Sequence, residues 1–199
     1  MNEENNGPID SFLQWVGELA RNDDRGTLAE LRRGLSKTTQ EQAWGHIVRF
    51  SRKDFENDLS RAVWCAVGGL AALMIPKGFV TEEKKDNLGT TMRKVALKAV
   101  SGESVSFADK EKRLKNFSPR LRRVLDETDT ISLCEMVVQI VRMAFNKEVP
   151  VNLRNLFLSL LSWNDSEQRE KTRLKWTQQY YTLFEPRPDS PSDQGGQAE

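Results

Sequence analysis

The stretch Arg25-Gly26-Thr27-Leu28-Ala29-Glu30-Leu31-Arg32-Arg33-Gly34-Leu35 has the pattern of a short, basic, amphipathic helix. At about 3.6 residues per turn, its leucines share one stripe. The arginines that flank this stripe are Arg25, Arg32 and Arg33. A helix of about two turns is not stable alone, so the leucines must dock on a larger helical body. The stretch therefore predicts an all-α fold that holds these arginines at a fixed edge.

The arginines of this helix have two interpretations. Arg32 can pair with a carboxylate such as Glu30 or one on a neighbouring helix, and for one helix taken alone this is favoured because charged side chains usually form a solvated face. The other interpretation is that the arginines bind an anionic partner. The rest of the chain has to decide between them.

The composition predicts a globular protein without a membrane partner. The 199 residues are 38% hydrophobic and 30% charged, with a formal net charge of +1, so only local clustering of charge can indicate partners. No apolar run reaches the roughly 18 residues needed to span a bilayer, and the N-terminus lacks the basic start of a signal peptide. We therefore expect a cytoplasmic protein.

Helical periodicity extends along most of the chain. The most apolar helix of the first half should form its core, with the periodic residues Leu59, Val63, Ala66, Leu70 and Leu73. Before it, Thr39 followed by Gln42 resembles a capping box that opens a helix. In the second half, apolar helices run from Leu133 to Ala144 and from Leu153 to Trp163. No stretch alternates as a strand would.

Composition shifts divide the chain into two small helical bundles packed together. Segment 101–104 (Ser-Gly-Glu-Ser) marks the boundary, and segment 81–87 is polar enough to be an exposed connector. The predicted organisation is a flexible N-terminus over 1–8, an N-terminal bundle over 9–102, a C-terminal bundle over 103–184 and a disordered tail over 185–199.

The run from Lys110 to Arg123 is the most one-signed part of the chain. It holds seven basic residues against one acid, Glu111. Ser118-Pro119 predicts a helix start, with Ser as the cap and Pro at the first helical position. Because such a run repels itself unless something anionic offsets it, phosphate binding is favoured over a solvated face.

An aromatic stripe runs along the last helix at Trp176, Tyr180 and Phe184. Stacking on nucleic-acid bases is one interpretation of such a stripe. Packing against Trp163 and the leucines is the favoured interpretation.

The sequence carries no pattern of a catalytic or metal site. Cys65 and Cys134 lie in apolar contexts, and the single histidine, His46, gives them no metal-ligand spacing, so we expect buried thiols and no metal or cofactor. A glycine-rich phosphate loop and a nucleophile partnered by a base are also missing. The protein is therefore predicted not to be an enzyme.

Five segments in order resemble the CasB family, the small subunit of the type I-E CRISPR surveillance complex Cascade. The resemblance covers roughly residues 9 to 184. The segments are Phe12-Leu13-Gln14-Trp15, Arg25-Gly26-Thr27-Leu28-Ala29-Glu30-Leu31-Arg32-Arg33, Pro119-Arg120-Leu121-Arg122-Arg123-Val124-Leu125, Leu160-Leu161-Ser162-Trp163 and Leu174-Lys175-Trp176-Thr177-Gln178-Gln179-Tyr180-Tyr181. Segment 103–117 has no counterpart in this pattern.

The resemblance implies a non-catalytic, all-α subunit that pairs head-to-tail with a second copy of itself. It also implies contacts with the backbone and large subunits of Cascade, with guide RNA, and with the DNA strand displaced when guide RNA pairs with its target. The principal phosphate contacts that we predict are Arg32, Arg33, Arg120, Arg122 and Arg123. The secondary ones are Arg25, Arg113, Lys115 and Arg142.

Two other functions fit parts of the pattern. The first is a helical scaffold whose basic faces bind only protein partners or guide RNA, and salt-sensitive binding of DNA by the isolated protein would separate it from the strand-binding function. The second is an independent transcription regulator, which is less favoured because the chain has no clear helix-turn-helix with polar recognition positions.

Overall fold

The computed structural model describes residues 7–98 and 106–182, and these residues have the predicted all-α fold. The α-helices of the described residues are α1 Pro8–Arg21, α2 Arg25–Arg33, α3 Glu41–Ser51, α4 Asp58–Met74, α5 Leu88–Leu97, α6 Phe107–Asp126, α7 Thr130–Asn146, α8 Leu153–Leu161 and α9 Ser166–Tyr181. Short 3₁₀ helices cover Arg52–Glu56 and Ile75–Lys77. Val80 and Val151 form an isolated parallel bridge.

Helix α4 is the core of the first half, as predicted. It is buried on nearly every side, and α1, α2 and α3 pack around it. Phe12 of α1 meets Trp64 of α4 edge-on, with 5.6 Å between ring centroids. Leu28 and Leu31 of α2 are buried against this body, which confirms that the short basic helix docks through its leucines.

The second half is organised around buried aromatic side chains. Trp163 stacks on Trp176 with 5.2 Å between ring centroids and 20° between ring planes. The Tyr180 hydroxyl donates a hydrogen bond to the carbonyl oxygen of Leu114 at 2.7 Å. The favoured interpretation of the aromatic stripe, packing rather than base stacking, is confirmed for Trp176 and Tyr180. Phe184 lies outside the described residues.

The two halves share one continuous hydrophobic core. Helix α4 packs against α7 and α8, where Trp64 and Phe157 have ring centroids 4.6 Å apart. Helix α5, which precedes the predicted boundary, packs against α6, α7 and α9. The boundary segment 101–104, the tail 185–199 and most of the predicted N-terminus 1–8 lie outside the described residues.

The connector between α4 and α5 is more firmly held than its polar sequence predicts. Asn155 Nδ2 donates hydrogen bonds to the carbonyl oxygens of Lys84 and Asp86, at 3.2 and 2.9 Å. The Asp86 carboxylate is buried and accepts from Lys94 Nζ at 2.9 Å. The expectation of an exposed connector is therefore right for residues 82–85 and wrong for Asp86.

The segment Asp58–Lys77 is long and apolar enough to cross a membrane, contrary to the expectation from sequence that no run approaches that length. In the fold, 61% of its most apolar window is buried inside the protein. It contacts α1, α2, α3, α7 and α8, so its apolar surface is covered by other helices. Core packing accounts for its composition.

Two predicted helix starts are wrong. Thr39 does not cap α3, because its hydroxyl donates to the carbonyl oxygen of Arg33 at 2.8 Å and the cap position falls on Gln40. Ser118-Pro119 lies inside α6, whose N-cap is Ser106. In both places the hydroxyl that was expected to accept from a helix amide instead donates to a carbonyl oxygen earlier in the chain, that of Arg33 or of Lys115.

Candidate nucleic-acid interface

Helix α6 places a group of cations on the surface of the second half. Ser106 Oγ caps its first turn by accepting from the Asp109 amide at 3.1 Å. Its inner side buries Leu114, Leu121 and Val124 against the core. The basic residues that remain exposed on its outer side are Lys112, Lys115, Arg120, Arg122 and Arg123.

A proline inside α6 does not break the helix. Pro119 has no amide hydrogen to give to the carbonyl oxygen of Lys115, four residues earlier. The Ser118 hydroxyl donates to that same oxygen at 2.8 Å, so the acceptor keeps a partner. The basic residues before and after Pro119 therefore belong to one continuous helix.

The exposed cations of α6 have no acidic partners among the residues that the structure describes. Within residues 7–98 and 106–182, none of these five side chains forms an ion pair. Arg120 lies over the Phe117 ring, with 5.1 Å between its guanidinium carbon and the ring centroid. On α9, by contrast, Lys171 pairs with Glu167 and Arg173 with Glu170. The α6 cations are thus available to an external anion.

Arg113 differs from its neighbours on α6. Its side chain is half-buried and is already engaged in an interaction within the protein. We therefore rank it below the five exposed cations as a phosphate contact.

The arginines of α2 are exposed at the edge of the first half. Arg32 Nε donates to the carbonyl oxygen of Leu28 at 3.0 Å, and Arg33 donates to the side-chain oxygen of Gln42. Glu30 instead contacts His46, with 2.5 Å between Oε2 and Nε2. The alternative in which Arg32 pairs with Glu30 is therefore wrong, and both guanidinium groups keep donors for another acceptor.

Arg25 is the exception on α2, because it has an acidic partner. Its Nε lies 2.9 Å from Asp23 Oδ1, and this hydrogen bond lowers the pKa of the Asp23 carboxyl and raises that of Arg25. Both side chains are strongly exposed, so solvent screens the pair. A phosphate would have to compete with Asp23 for this arginine.

Helix α7 lies between the two basic elements. On one side, Ile131, Cys134 and Val138 face residues of the α2–α3 loop across a cavity. On the other side, Met136 lines an open depression with Arg122 and Arg123 of α6. The exposed ridge between them carries Glu135, Gln139 and Arg142. Arg142 is exposed on this ridge, about one turn beyond Gln139.

Lys37 is a cation of this surface that the sequence patterns do not indicate. It lies in the loop after α2, and its Nζ is 2.5 Å from Glu135 Oε1 on α7. This contact raises the pKa of Lys37 and balances the one acid on the ridge. An isolated loop lysine has no helical period, so only the fold shows its position.

Arg173, Cys65 and Cys134 face the interior of the protein. Arg173 donates to the carbonyl oxygen of Glu127 at 3.1 Å and lies over the Trp163 ring, so it faces inward. Cys65 and Cys134 are free and buried, as predicted. Among residues 7–98 and 106–182, no three His, Cys, Asp or Glu side chains converge to hold a metal ion.

Comparison with known proteins gives a family and a fold. The family model described as CRISPR-associated protein Cse2 matches residues 27–181. The crystal structure of CasB from Thermobifida fusca is similar, with a TM-score of 0.62 and 19% sequence identity, over 86% of this chain and 94% of that chain. A comparison with curated proteins finds no match. The family match covers α2 to α9 and thus includes every candidate phosphate contact except Arg25.

Proposed function

Because the chain belongs to the CRISPR-associated protein Cse2 family and is thereby a subunit of a Cascade complex, we propose that it is the non-catalytic small subunit of a type I-E Cascade. Its role is to hold the displaced DNA strand and so to stabilise the R-loop in antiviral defence. It acts in the cytoplasm beside the backbone and large subunits, near guide RNA and a second, head-to-tail copy of itself.

One observation carries this proposal: helix α6 exposes a group of cations that have no carboxylate partner in the part of the chain that the structure describes. The outer side of α6 presents Lys112, Lys115, Arg120, Arg122 and Arg123 without a carboxylate partner in the described chain. Cations fixed on helices bind a strand through its phosphates and carry no sequence information. This suits a subunit that must accept any target sequence.

The energetics of strand exchange favour such a role. The RNA–DNA duplex that forms is about as stable as the DNA duplex that it replaces, so base pairing alone leaves R-loop formation nearly balanced. Phosphate contacts to the displaced strand hold it away from the target strand, so that it competes less with guide RNA for base pairing. Even a few contacts on α6 and α7 therefore shift the equilibrium towards the open state.

Direct binding tests the proposal. The purified full chain is titrated against a fluorescent single-stranded DNA and the matching duplex across a salt series. We expect tighter binding to the single strand and a steep loss of affinity with salt. The double variant Arg122→Gln/Arg123→Gln should lower the slope of log K against log salt by about 1.4, since each lost contact to a single strand contributes about 0.7.

The matched control removes the same charge elsewhere. Lys84 and Lys85 are exposed on the connector and have no ion pair within the described chain, so Lys84→Gln/Lys85→Gln should bind like the wild type. If the α6 variant and this control bind DNA equally well, strand binding by α6 is refuted. The scaffold function, with basic faces for protein or guide RNA, would then be the better account.

A further inference from the structure

A cavity of about 250 Å³ lies between α4, α7 and the loop that joins α2 to α3. Its floor is apolar and is formed by Ala62, Cys65 and Ala66 of α4 with Ile131, Cys134 and Val138 of α7. Its rim is polar and is formed by Lys37, Gln40, Glu135 and Gln139. The proposed strand binding uses only contacts to phosphates. It does not require a cavity with an apolar floor.

The size and floor of the cavity suit one flat, uncharged ring. Sites for drug-sized ligands measure about 300–1,000 Å³, so this cavity is too small for an extended molecule. Its two thiols are protonated at neutral pH, because burial raises the pKa of Cys65 to about 11 and that of Cys134 to about 12. The floor therefore remains an apolar surface on which a planar group can lie.

The rim offers hydrogen bonds to the edge of such a ring. Each glutamine amide supplies both donors and an acceptor, and a carboxylate accepts from exocyclic amino groups. The Lys37–Glu135 ion pair crosses the rim, with side chains 71% and 57% exposed. Exposed pairs of this kind are weak, so the two side chains part easily for an entering group.

The position of the cavity connects it to the cations. Lys37 lies on its rim. Arg142 follows Gln139, another rim residue, by three residues on the exposed ridge of α7, so Gln139 and Arg142 are neighbours on the helix. On the far side of that ridge lie Arg122 and Arg123. A single strand held by these cations carries unpaired bases past the mouth of the cavity.

We propose that this cavity receives one unpaired base of the single strand, as a base-binding site beside the phosphate-binding residues. The inference rests on the proposed function. The apolar floor covers the face of the base, the rim amides meet its edge, and the flanking cations hold the phosphates on either side. Only one nucleotide in each stretch of bound strand is engaged in this way.

The test compares two strands that have the same number of phosphates. One is an ordinary single-stranded oligonucleotide, and the other is the same length with abasic sites throughout. We expect the full chain to bind the abasic strand about tenfold more weakly. The cavity variants Gln139→Ala, which removes a rim amide, and Ala62→Leu, which fills the cavity, should abolish most of this difference.

Controls separate the cavity from general effects on the fold. Gln178→Ala removes an exposed glutamine from α9 and should leave the difference unchanged. If both strands bind equally and lose affinity with salt, the base site is overturned while the phosphate-binding function stands. If neither strand binds, the proposed function fails and the base site fails with it. If Ala62→Leu does not fold, Gln139→Ala alone decides.

Discussion

Ser118 compensates for the hydrogen bond that Pro119 removes from α6. Its hydroxyl reaches the carbonyl oxygen of Lys115 at 2.8 Å, and the serine itself is only 7% exposed. Without this donor the oxygen would have no replacement for the amide hydrogen that Pro119 lacks. A serine that looks like a helix cap in the sequence thus keeps the basic helix continuous.

A double-mutant cycle tests this role. Ser118→Ala should lower the free energy of unfolding by about 1 kcal/mol, because the half-buried hydrogen bond to the carbonyl oxygen of Lys115 is lost. In a Pro119→Ala background the restored amide supplies that hydrogen bond, so the same serine change should cost much less. Urea denaturation of the four proteins measures the coupling. Equal costs in both backgrounds would refute the compensation.

The two buried cysteines give the protein a pH-dependent stability. Burial raises their pKa values from 9.0 to about 11 for Cys65 and about 12 for Cys134, so the folded state holds these protons more tightly than the unfolded state. The resulting stabilisation is complete below about pH 9. It decreases progressively as the pH rises above 9 and is lost once the pH has passed the folded-state pKa values of about 11 and 12.

We therefore predict that Cys65→Ala/Cys134→Ala flattens the alkaline loss of stability. The variant starts from a lower free energy of unfolding, since it leaves small cavities. Its decline between pH 8 and pH 10.5 should nevertheless be smaller than that of the wild type. Chemical denaturation at the two pH values gives both slopes, and parallel slopes would exclude the thiols as the cause.

At the scale of the elements, the contact between α5 and α9 depends on one glycine. A side chain at Gly89 would collide with the backbone of Trp176, so the two helices approach closely there. This contact ties α5 to the second half of the molecule. The same Trp176 stacks on Trp163 through its side chain.

Gly89→Ala should consequently lower the free energy of unfolding by about 3 kcal/mol or more, because backbone cannot move aside as a flexible side chain can. Gly45→Ala on α3 is the matched control, since nothing lies near its added carbon. This control should be neutral or stabilising by up to about 1 kcal/mol. Thermal unfolding of both variants distinguishes them, and similar melting temperatures would contradict the close packing.

Most helices could be predicted from the sequence because apolar residues recur at the helical period. The core helix α4, the docked helix α2 and the aromatic packing of α9 were all identified in this way. The start of α6 and the cap of α3 were not, because the hydroxyls of Ser118 and Thr39 donate to carbonyl oxygens of Lys115 and Arg33 on their N-terminal side instead of accepting from an amide of a following helix. The sequence shows that these hydroxyls can form hydrogen bonds with nearby backbone, but it does not show which backbone group is the partner.

The candidate interface was less predictable than the helices. The basic run on α6 is visible in the sequence as a block of charge, and its exposure follows from the helical period. Lys37 and Gln139 carry no such signal. Their role depends on the loop after α2 lying beside α7, which only the fold shows. Likewise, the sequence does not show that Arg25 is paired with Asp23 while Arg122 has no ion pair within residues 7–98 and 106–182.

At the scale of the whole molecule, one continuous core holds the two basic elements in a fixed relation. Helices α2 and α7 both pack on α4, and α6 packs on α7. A strand that binds α6 therefore meets the ridge of α7 and the end of α2 without a rearrangement of the protein. The candidate interface is therefore a preformed surface of the folded chain.

The central claim is that the cations of α6 stabilise the R-loop, and the yield of R-loop in a reconstituted Cascade tests it most directly. Complexes are assembled with the wild-type chain, with a variant in which Arg120, Arg122 and Arg123 are changed to Gln, or with the Lys84→Gln/Lys85→Gln control. We predict a clear loss of R-loop for the α6 variant alone, with normal assembly and unchanged helicity of the chain. An R-loop yield equal to that of the wild type would contradict the account.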